Sequence, residues 1–416
     1  MMAMMMIRLL AMFSILQWNA RSLIANGQEL KREVHVEGRK PDLICVQETW
    51  LKPCLDFVMP GYVGIRKDRV DSNGGGCAVF VREGIQYKAI ELDSDLEVVL
   101  AEVWSTRGKV TVVNFYNPCK LLDIEDLDKV MESVRTPVIW VGDFNANSPL
   151  WGSERRDRNG TVVEEFLDRH GLVILNDGRP TRIQIETRKL SCIDLTLASP
   201  GLARVGEWDP QGSNTMGSDH FPIKSGFGRT LIEEVGDRPK VFDFARARWD
   251  RFEEEVAARV GDVDRAGSID SFNESLCSML MAAALNSVPI RQSPKGRVAV
   301  PWWNSDCDAA IRARNRAYRK LRRLPSMLHA IEYKRLRAVA RRVIKEAKKN
   351  CWRKFCGTLG PDTPLKEMWL RVHRMSGKLR RYAMPVLNDG IREAVSTREK
   401  ASMCVKVFQV VHNSTT

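Results

Sequence analysis

Six short polar signatures punctuate the first half of the chain, each at the edge of an apolar run. Asn19 closes FSILQWN, and Glu48 follows DLICVQ. Asn114 and Tyr116 close KVTVVNFY. Asp143 and Asn145 follow PVIWV within GDFN. Asp194 sits in CIDL, and Ser218, Asp219 and His220 precede FPI. Carboxylates, an imidazole and a phenol are the groups that move protons in general acid–base chemistry. Carboxylates also suit hard divalent cations. Apolar strands that end in such groups can aim them all at one rim of a sandwich, where loops on a rigid scaffold concentrate function. Each signature has an ordinary alternative: a solvated carboxylate, an Asx turn, a surface Asp-His pair, a core tyrosine with its hydroxyl at the surface. The signal is the ordered set.

The elements that would position these groups have α/β texture. Phe13–Asn19, Asp42–Gln47, Cys77–Arg82 and Pro137–Val141 read as strands. Val98–Ser105 and Lys109–Tyr116 alternate well and form a hairpin around Arg107-Gly108. Ile193–Leu197 and Phe221–Lys224 read as the last strands. Helices are expected over Ser22–Lys40, with Ser22 as N-cap and Pro41 as breaker, over Asp123–Ser133, and over Thr161–His170, ending at Gly171. Strands alternating with helices, plus hairpins, predict a mixed-sheet sandwich rather than a purely parallel sheet.

The chain has 416 residues, 44 % of them apolar, which excludes wholesale disorder and suggests two or three units. Its formal net charge is +13, but the charge is uneven: residues 291–383 carry +20 and the remainder −7. The ten cysteines form no CxxC pair and no zinc-finger pattern, which suggests reduced thiols in an intracellular compartment. The Met-rich start is interrupted by Arg8 and ended by Gln17, too short and broken to span a bilayer. It also lacks a signal-peptide cleavage pattern, so neither secretion nor a membrane is expected.

The order WNA, QETW, NFY, GDFNAN, IDL, SDH resembles the endonuclease/exonuclease/phosphatase superfamily over about Phe13–Phe227. GDFNANSPLWG is similar to the endonuclease of non-LTR, LINE-type retrotransposons, particularly jockey-like elements. PWWN, EYKRLRAVARR and EAKKNCWRKF look like the stretch between endonuclease and reverse transcriptase in those elements. So do Thr363-Pro364 with Trp369 and the final Glu399–Ser414. No YADD or FADD polymerase motif and no CCHC knuckle is present. The resemblance implies a four-layered, DNase I-like α/β sandwich of mixed sheets followed by a mainly α-helical basic region. Its divisions would be a leader over 1–12, an endonuclease domain over 13–228, a linker with a helical segment over 229–300, and a basic helical region over 301–416 preceding a reverse transcriptase.

The same resemblance implies roles. Glu48, with Asn19 and Asp219, would hold Mg²⁺, or Mn²⁺ as a substitute. Asp143 would accept the proton of the attacking water, and Asn145 would orient that water or the phosphate. His220, oriented and kept protonated by Asp194, would donate to a non-bridging oxygen. Tyr116 would bond the phosphate or assist the leaving group, and Ser218 would contact phosphate. Arg182, Arg188 and Lys189 lie on a loop that, in the resembling endonucleases, enters the DNA groove; an ordinary solvated hairpin is the alternative. Arg312, Arg316, Arg319, Arg337, Arg341 and Lys345 recur at helical spacing and would track phosphates of target DNA or element RNA. Trp302 and Trp303 are expected to anchor this region by burial. The implied activity is nicking of double-stranded target DNA in the nucleus, leaving a 3′-hydroxyl for a reverse transcriptase to extend. An abasic-site repair nuclease, a phosphoinositide phosphatase and a non-catalytic nucleic-acid-binding fragment are the alternatives.

Overall fold

The computed structural model describes residues 13–36, 40–105, 108–134, 137–185, 187–203, 207–228, 242–263, 268–289, 302–360, 368–369, 386–388, 392–394 and 399–404. The leader over 1–12, Thr363-Pro364, parts of the expected linker, and most of the final Glu399–Ser414 lie outside them. The chain forms two compact units, one comprising Met1–Glu234 with Val298–Thr416, the other Val235–Arg297.

Two six-stranded sheets build the larger unit. The first contains β1 (Phe13–Asn19), β2 (Leu43–Gln47), β3 (Tyr62–Lys67), β4 (Cys77–Arg82), β13 (Glu207–Pro210) and β14 (Ile223–Phe227), in the order β13-β14-β1-β2-β4-β3. The second contains β5 (Tyr87–Ile90), β6 (Glu97–Ser105), β7 (Gly108–Tyr116), β8 (Val138–Asp143), β9 (Val173–Ile174) and β12 (Asp194–Ala198), in the order β5-β6-β7-β8-β12-β9. Each sheet has one parallel pair at its centre, β1 with β2 and β7 with β8, flanked by antiparallel neighbours. This pattern gathers the site. Parallel strands end at the same edge, so Asn19 lies opposite Gln47, and Tyr116 opposite Asp143. Antiparallel β12 begins at that edge, with Asp194 opposite Asp143. Likewise β14 begins beside the end of β1, with Ile223 opposite Gln17.

The layers follow from which faces are apolar. Ile15, Cys45 and Val79 meet Val112, Ile139 and Val141 between the sheets. The outer face of the first sheet packs Trp18, Ile44 and Val46 against Leu23, Leu30 and Val34 of α1 (Leu23–Val36). The outer face of the second packs Val113, Phe115 and Trp140 against α2 (Ile124–Glu132) and α3 (Arg158–His170), through Leu127, Val130, Val163 and Phe166. Central strands are thus buried on both faces, which is why β2 and β8 read as continuous apolar runs. The result is the expected four-layered α/β sandwich. A short α4 (Pro200–Ala203) and a small hairpin, β10 (Arg182–Ile183) with β11 (Leu190–Ser191), complete it.

Within the two six-stranded sheets, the strands that the sequence pattern does not predict, β3, β5, β9 and β13, are the four edges. An edge strand is half exposed, so its residues need no sustained apolar run. The last strand starts at Ile223 rather than Phe221, because the Phe221 N–H donates to the Thr181 carbonyl at 2.7 Å instead of joining the sheet. Helix α3 starts three residues before Thr161, since Asp157 caps it by accepting from the Gly160 N–H.

In the smaller unit, α5 (Trp249–Arg259) packs on α6 (Ile269–Ser287), two helices within the stretch 229–300 where a linker with a helical segment is expected. The basic stretch Asn304–Leu359, read as one helical pattern, is two helices, α7 (Ser305–Arg323) and α8 (Met327–Cys356), broken at Leu324-Pro325-Ser326. Asn304 and Ser326 cap them, accepting from the Cys307 and His329 N–H groups. Among the described residues, no helix is long and apolar enough to cross a membrane.

Candidate active site

Amide side chains lock the two sheets together beneath the rim. Gln17 of β1 donates to the Gly142 carbonyl at 3.0 Å and accepts from the Thr196 hydroxyl at 3.1 Å. Gln47 of β2 donates to Asn114 of β7, whose own amide donates to the Val46 and Ala78 carbonyls at 3.0 and 2.9 Å. These groups are buried, so leaving one unpaired would be costly, and their bonds fix how the sheets slide on one another. That fixes the spacing of the groups above them.

Asn19 stands at the centre of those groups. Its amide N–H donates to Asp143 Oδ2 at 2.8 Å and to Glu48 Oε1 at 3.1 Å. The Tyr116 hydroxyl donates to the same Glu48 oxygen at 3.1 Å, and the Trp50 indole donates to the other at 3.1 Å. His220 Nδ1 lies 2.9 Å from both Asp194 oxygens, and its Nε2 lies 3.8 Å from Asp143 Oδ2. The Ser218 hydroxyl donates to the Asn19 carbonyl at 2.8 Å and accepts from the His220 N–H at 3.2 Å, tying the SDH loop to the end of β1. Asn145 donates from its backbone to Asp143 Oδ1 at 3.2 Å and from its side chain to the Asn117 carbonyl at 2.7 Å. Six of the expected residues, Asn19, Glu48, Tyr116, Asp143, Asp194 and His220, therefore form one connected cluster, with Asn145 and Ser218 bonded to it.

The backbone is strained at this rim. Arg21, Ser22, Glu48, Trp50 and Asn145 all have positive φ, between 42° and 94°. Such conformations cost free energy in non-glycine residues and persist only where the surroundings enforce them. Gly142 meets the opposite constraint: a Cβ there would stand 2.0 Å from the Phe115 carbonyl oxygen, so the residue before Asp143 must be glycine.

Electrostatics set the protonation states. Burial pushes the Asp143 carboxyl up, and repulsion from Asp194 and Glu48 adds to this against the pull of His220 and Asn19. Burial disfavours charge on His220, but Asp194 and then Asp143 outweigh it, so its pKa is raised and the imidazolium persists at neutral pH. Burial, then Glu48 and Asp143, hold the Tyr116 phenol protonated.

Asp219 is arranged differently. Burial alone would raise its pKa, but His220, Arg21 and Arg182 together hold it below the usual range. Its Oδ2 accepts from Arg21 at 2.9 Å and Arg182 at 3.2 Å, while its Oδ1 is buried without a hydrogen-bond partner among the described residues. Arg182 is thus placed at the site, paired across a β-bridge with His220. Arg188 and Lys189 lie at the far tip of the β10–β11 hairpin, where Arg188 donates to the Gln184 carbonyl and Lys189 is exposed. Arg21, Trp50 and Asn117 were not singled out by sequence reasoning. Arg21 follows WN by two positions, and a loop arginine carries no periodic signal.

Asp143, Asp194 and His220 bring ligand atoms within 4.8 Å of one another, a buried group able to hold a metal ion. The wider donor set of Glu48, Asp143, Asp194, Asp219 and the Asn19 amide offers mainly oxygen atoms, which suits a hard cation. Mutual repulsion among these carboxylates is a second sign of fit, since a divalent ion would relieve it.

The arginines and lysine expected on a basic surface divide in space. Arg312, Arg316, Arg319, Arg341 and Lys345 are exposed along α7 and α8, and Arg337 is half-buried. Trp302 is buried, with Lys348 4.9 Å above its ring, as expected of an anchor.

Residues 110–224 match the family model described as Endonuclease-reverse transcriptase. The chain is 25 % identical over 410 residues to the 115 kDa protein of the type-1 retrotransposable element R1DM of Drosophila melanogaster, covering 88 % of this chain and 37 % of that protein. It is 24 % identical over 212 residues to the RNA-directed DNA polymerase of the mobile element jockey from the same species, covering 50 % of this chain and 23 % of the polymerase. The chain therefore spans well under half the length of these relatives. Among solved structures, the endonuclease domain of TRAS1, a telomere-specific non-LTR retrotransposon, aligns at TM-score 0.45 and 22 % identity, covering 52 % of this chain and 98 % of that domain. An AP endonuclease from Leishmania major aligns at 0.42 and 17 %, covering 52 % of this chain and 88 % of that one.

Proposed function

We propose that this chain, which is similar over residues 110–224 to the Endonuclease-reverse transcriptase family and more widely to non-LTR retrotransposon proteins, nicks double-stranded DNA by hydrolysing one phosphodiester bond. The observation that carries the reading is the connected chain Asp194–His220–Asp143–Asn19–Glu48–Tyr116, buried except at half-exposed Glu48 and closed by hydrogen bonds and short charge contacts. Glu48, with Asn19 and Asp219, would hold a hard divalent cation, Mg²⁺ or Mn²⁺, which supplies charge neutralisation at the phosphate when bound.

Asp143 takes the proton of the attacking water; its raised pKa brings it nearer the working pH, where a general base is most effective. Asn145 fixes the geometry of that water, and Asn19 holds the carboxylate in place. His220, kept cationic by Asp194, donates from Nε2 to a non-bridging oxygen as negative charge develops there. As the water oxygen bonds to phosphorus the P–O3′ bond breaks; Tyr116, which keeps its proton, donates a hydrogen bond to the leaving 3′-oxygen, and that oxygen takes its proton from solvent water. Arg182 and Ser218 contact the phosphate backbone. The product is a nick with a 3′-hydroxyl. In a polyprotein like the relatives, a reverse transcriptase segment would extend that end on element RNA, in the nucleus.

Supercoiled plasmid incubated with Mg²⁺ tests this. Wild type converts it to open circles and Asp143→Ala does not. Cleavage confined to duplexes bearing an abasic site would favour the repair-type alternative, and no nicking on several DNAs would refute the proposal.

A further inference from the structure

The helices that follow the sandwich in sequence are docked beside its active rim. Phe221, next to His220, meets the Tyr318 ring edge-on at 6.1 Å, and Tyr318 packs on Tyr333 of α8 at 5.4 Å. Ala317, Leu321 and Ala330 close the same cluster over Ile183, which follows Arg182 in β10, and Ile185 just beyond that strand. Arg314 of α7 clasps Glu29 of α1 through two bonds of 2.6 and 2.7 Å, and Asn315 donates to Asn214 at 3.2 Å. Arg32 of α1 pairs with Asp308.

One turn and two turns beyond buried Tyr333, α8 carries Arg337 and Arg341, four residues apart on one face. Among the described residues neither guanidinium has an ion-pair partner, and Arg337 Nε is buried without any acceptor. Arg341 is exposed overall, yet partial desolvation of its guanidinium beside the docked sandwich disfavours its charge, followed by Arg337, Arg21 and Arg314, with Tyr333 in opposition. Arg21 itself follows Asn19 by two residues and donates to Asp219 beside His220. Arg21 and Arg314 are answered by Asp219 and Glu29, but Arg337 and Arg341 have no matching acid among the described residues, and two such cations with an N–H left unpaired form a site for an anion.

We propose that Arg337 and Arg341 of α8, together with Arg21, form a phosphate platform that grips the DNA backbone beside the scissile bond, making the downstream helical hairpin a working part of the nuclease. This rests on the endonuclease reading and adds a second substrate contact surface supplied from outside the sandwich. Free cations near a polyanion bind by displacing its counterions, so each phosphate contact has a measurable salt signature.

The test measures binding of the full chain to a duplex DNA by fluorescence anisotropy, in EDTA so that nothing is cut, across 50–200 mM salt. Arg337→Gln/Arg341→Gln should reduce the slope of log affinity against log salt by about 2. Wild type should then lose about tenfold more affinity than the variant over that range. Arg337→Lys/Arg341→Lys keeps the charges and should restore the slope. Lys129→Gln/Arg169→Gln, on the helices covering the outer face of the second sheet, should leave it unchanged. A circular-dichroism melt matching wild type shows that a Gln variant is folded, and the Lys variant reports in its place if it is not. An unchanged slope for DNA overturns the platform, including the case in which only single-stranded RNA binding weakens. The two readings separate cleanly: wild-type nicking with an unchanged slope sinks the platform alone, whereas a reduced slope without wild-type nicking sinks the nuclease alone.

Discussion

Glu29→Gln strips the Arg314 guanidinium of its counter-charge while keeping the side chain's size. Both members of this pair are nearly dry, with side-chain exposures of 3 % for Arg314 and 9 % for Glu29. Burial disfavours charge on Arg314, but Glu29 more than offsets this, so its pKa is raised. Removing one partner of a buried pair costs about 3–5 kcal/mol, because the remaining ion is left desolvated. Gln retains one acceptor, so the lower end, about 3 kcal/mol, applies. At about 1.4 kcal/mol per decade, the docked helices α7 and α8 should open about a hundredfold more often. Amide hydrogen exchange along α7 reads this opening directly, and urea unfolding reads any global part. The double variant Glu29→Met/Arg314→Leu should recover most of the loss, since an apolar pair needs no desolvation of charge. The reasoning fails if Glu29→Gln costs under about 1 kcal/mol, the value of an exposed pair. It also fails if the double variant costs the sum of the two singles, because that would leave no coupling to explain.

Three further outcomes follow from other parts of the molecule. Asp143→Asn and His220→Ala should each lower plasmid nicking by about 10²–10⁴-fold while the melting curve stays near wild type; full activity in either would remove that residue from the chemistry. Lys31, buried over Phe57, is pushed down to about 8 by burial and by Lys348, from an ordinary 10.5. Between those values the unfolded chain binds the extra proton, so stability should climb with pH across that window by about 3 kcal/mol. Lys31→Met should flatten that rise and stabilise the chain near pH 7, and identical pH profiles in urea melts would contradict it. Gly142→Ala forces a Cβ against the Phe115 carbonyl at 2.0 Å. It should cost about 1–3 kcal/mol and displace Asp143, measured by denaturation and by loss of nicking at permissive temperature.

What the sequence determined by itself was local. The runs in β1, β2, β7 and β8 declared themselves because central strands are buried on both faces, and each carries its polar terminus within a few residues. Asp157, Asn304 and Ser326 show the limit of that reading even nearby, since a cap is identified only once the helix it closes is known. Edge strands stayed silent, because half-exposed backbone places little demand on side-chain type. Only the tertiary structure decided which groups meet. Asn19 reaches Asp143 across 124 residues of chain, and Arg314 reaches Glu29 across 285. Asp219 is expected with the metal, and only the fold shows that its Oδ2 also accepts from Arg21 and Arg182, a pairing set by how the SDH loop, the end of β1 and the β10 strand converge. The basic helices looked like a uniform cationic surface in one dimension. Folding buries Arg314 in an ion pair and brings Arg341, one turn beyond Arg337, within electrostatic reach of Arg21, since a helix offers its 3.6-residue faces to whatever the rest of the chain has already placed there.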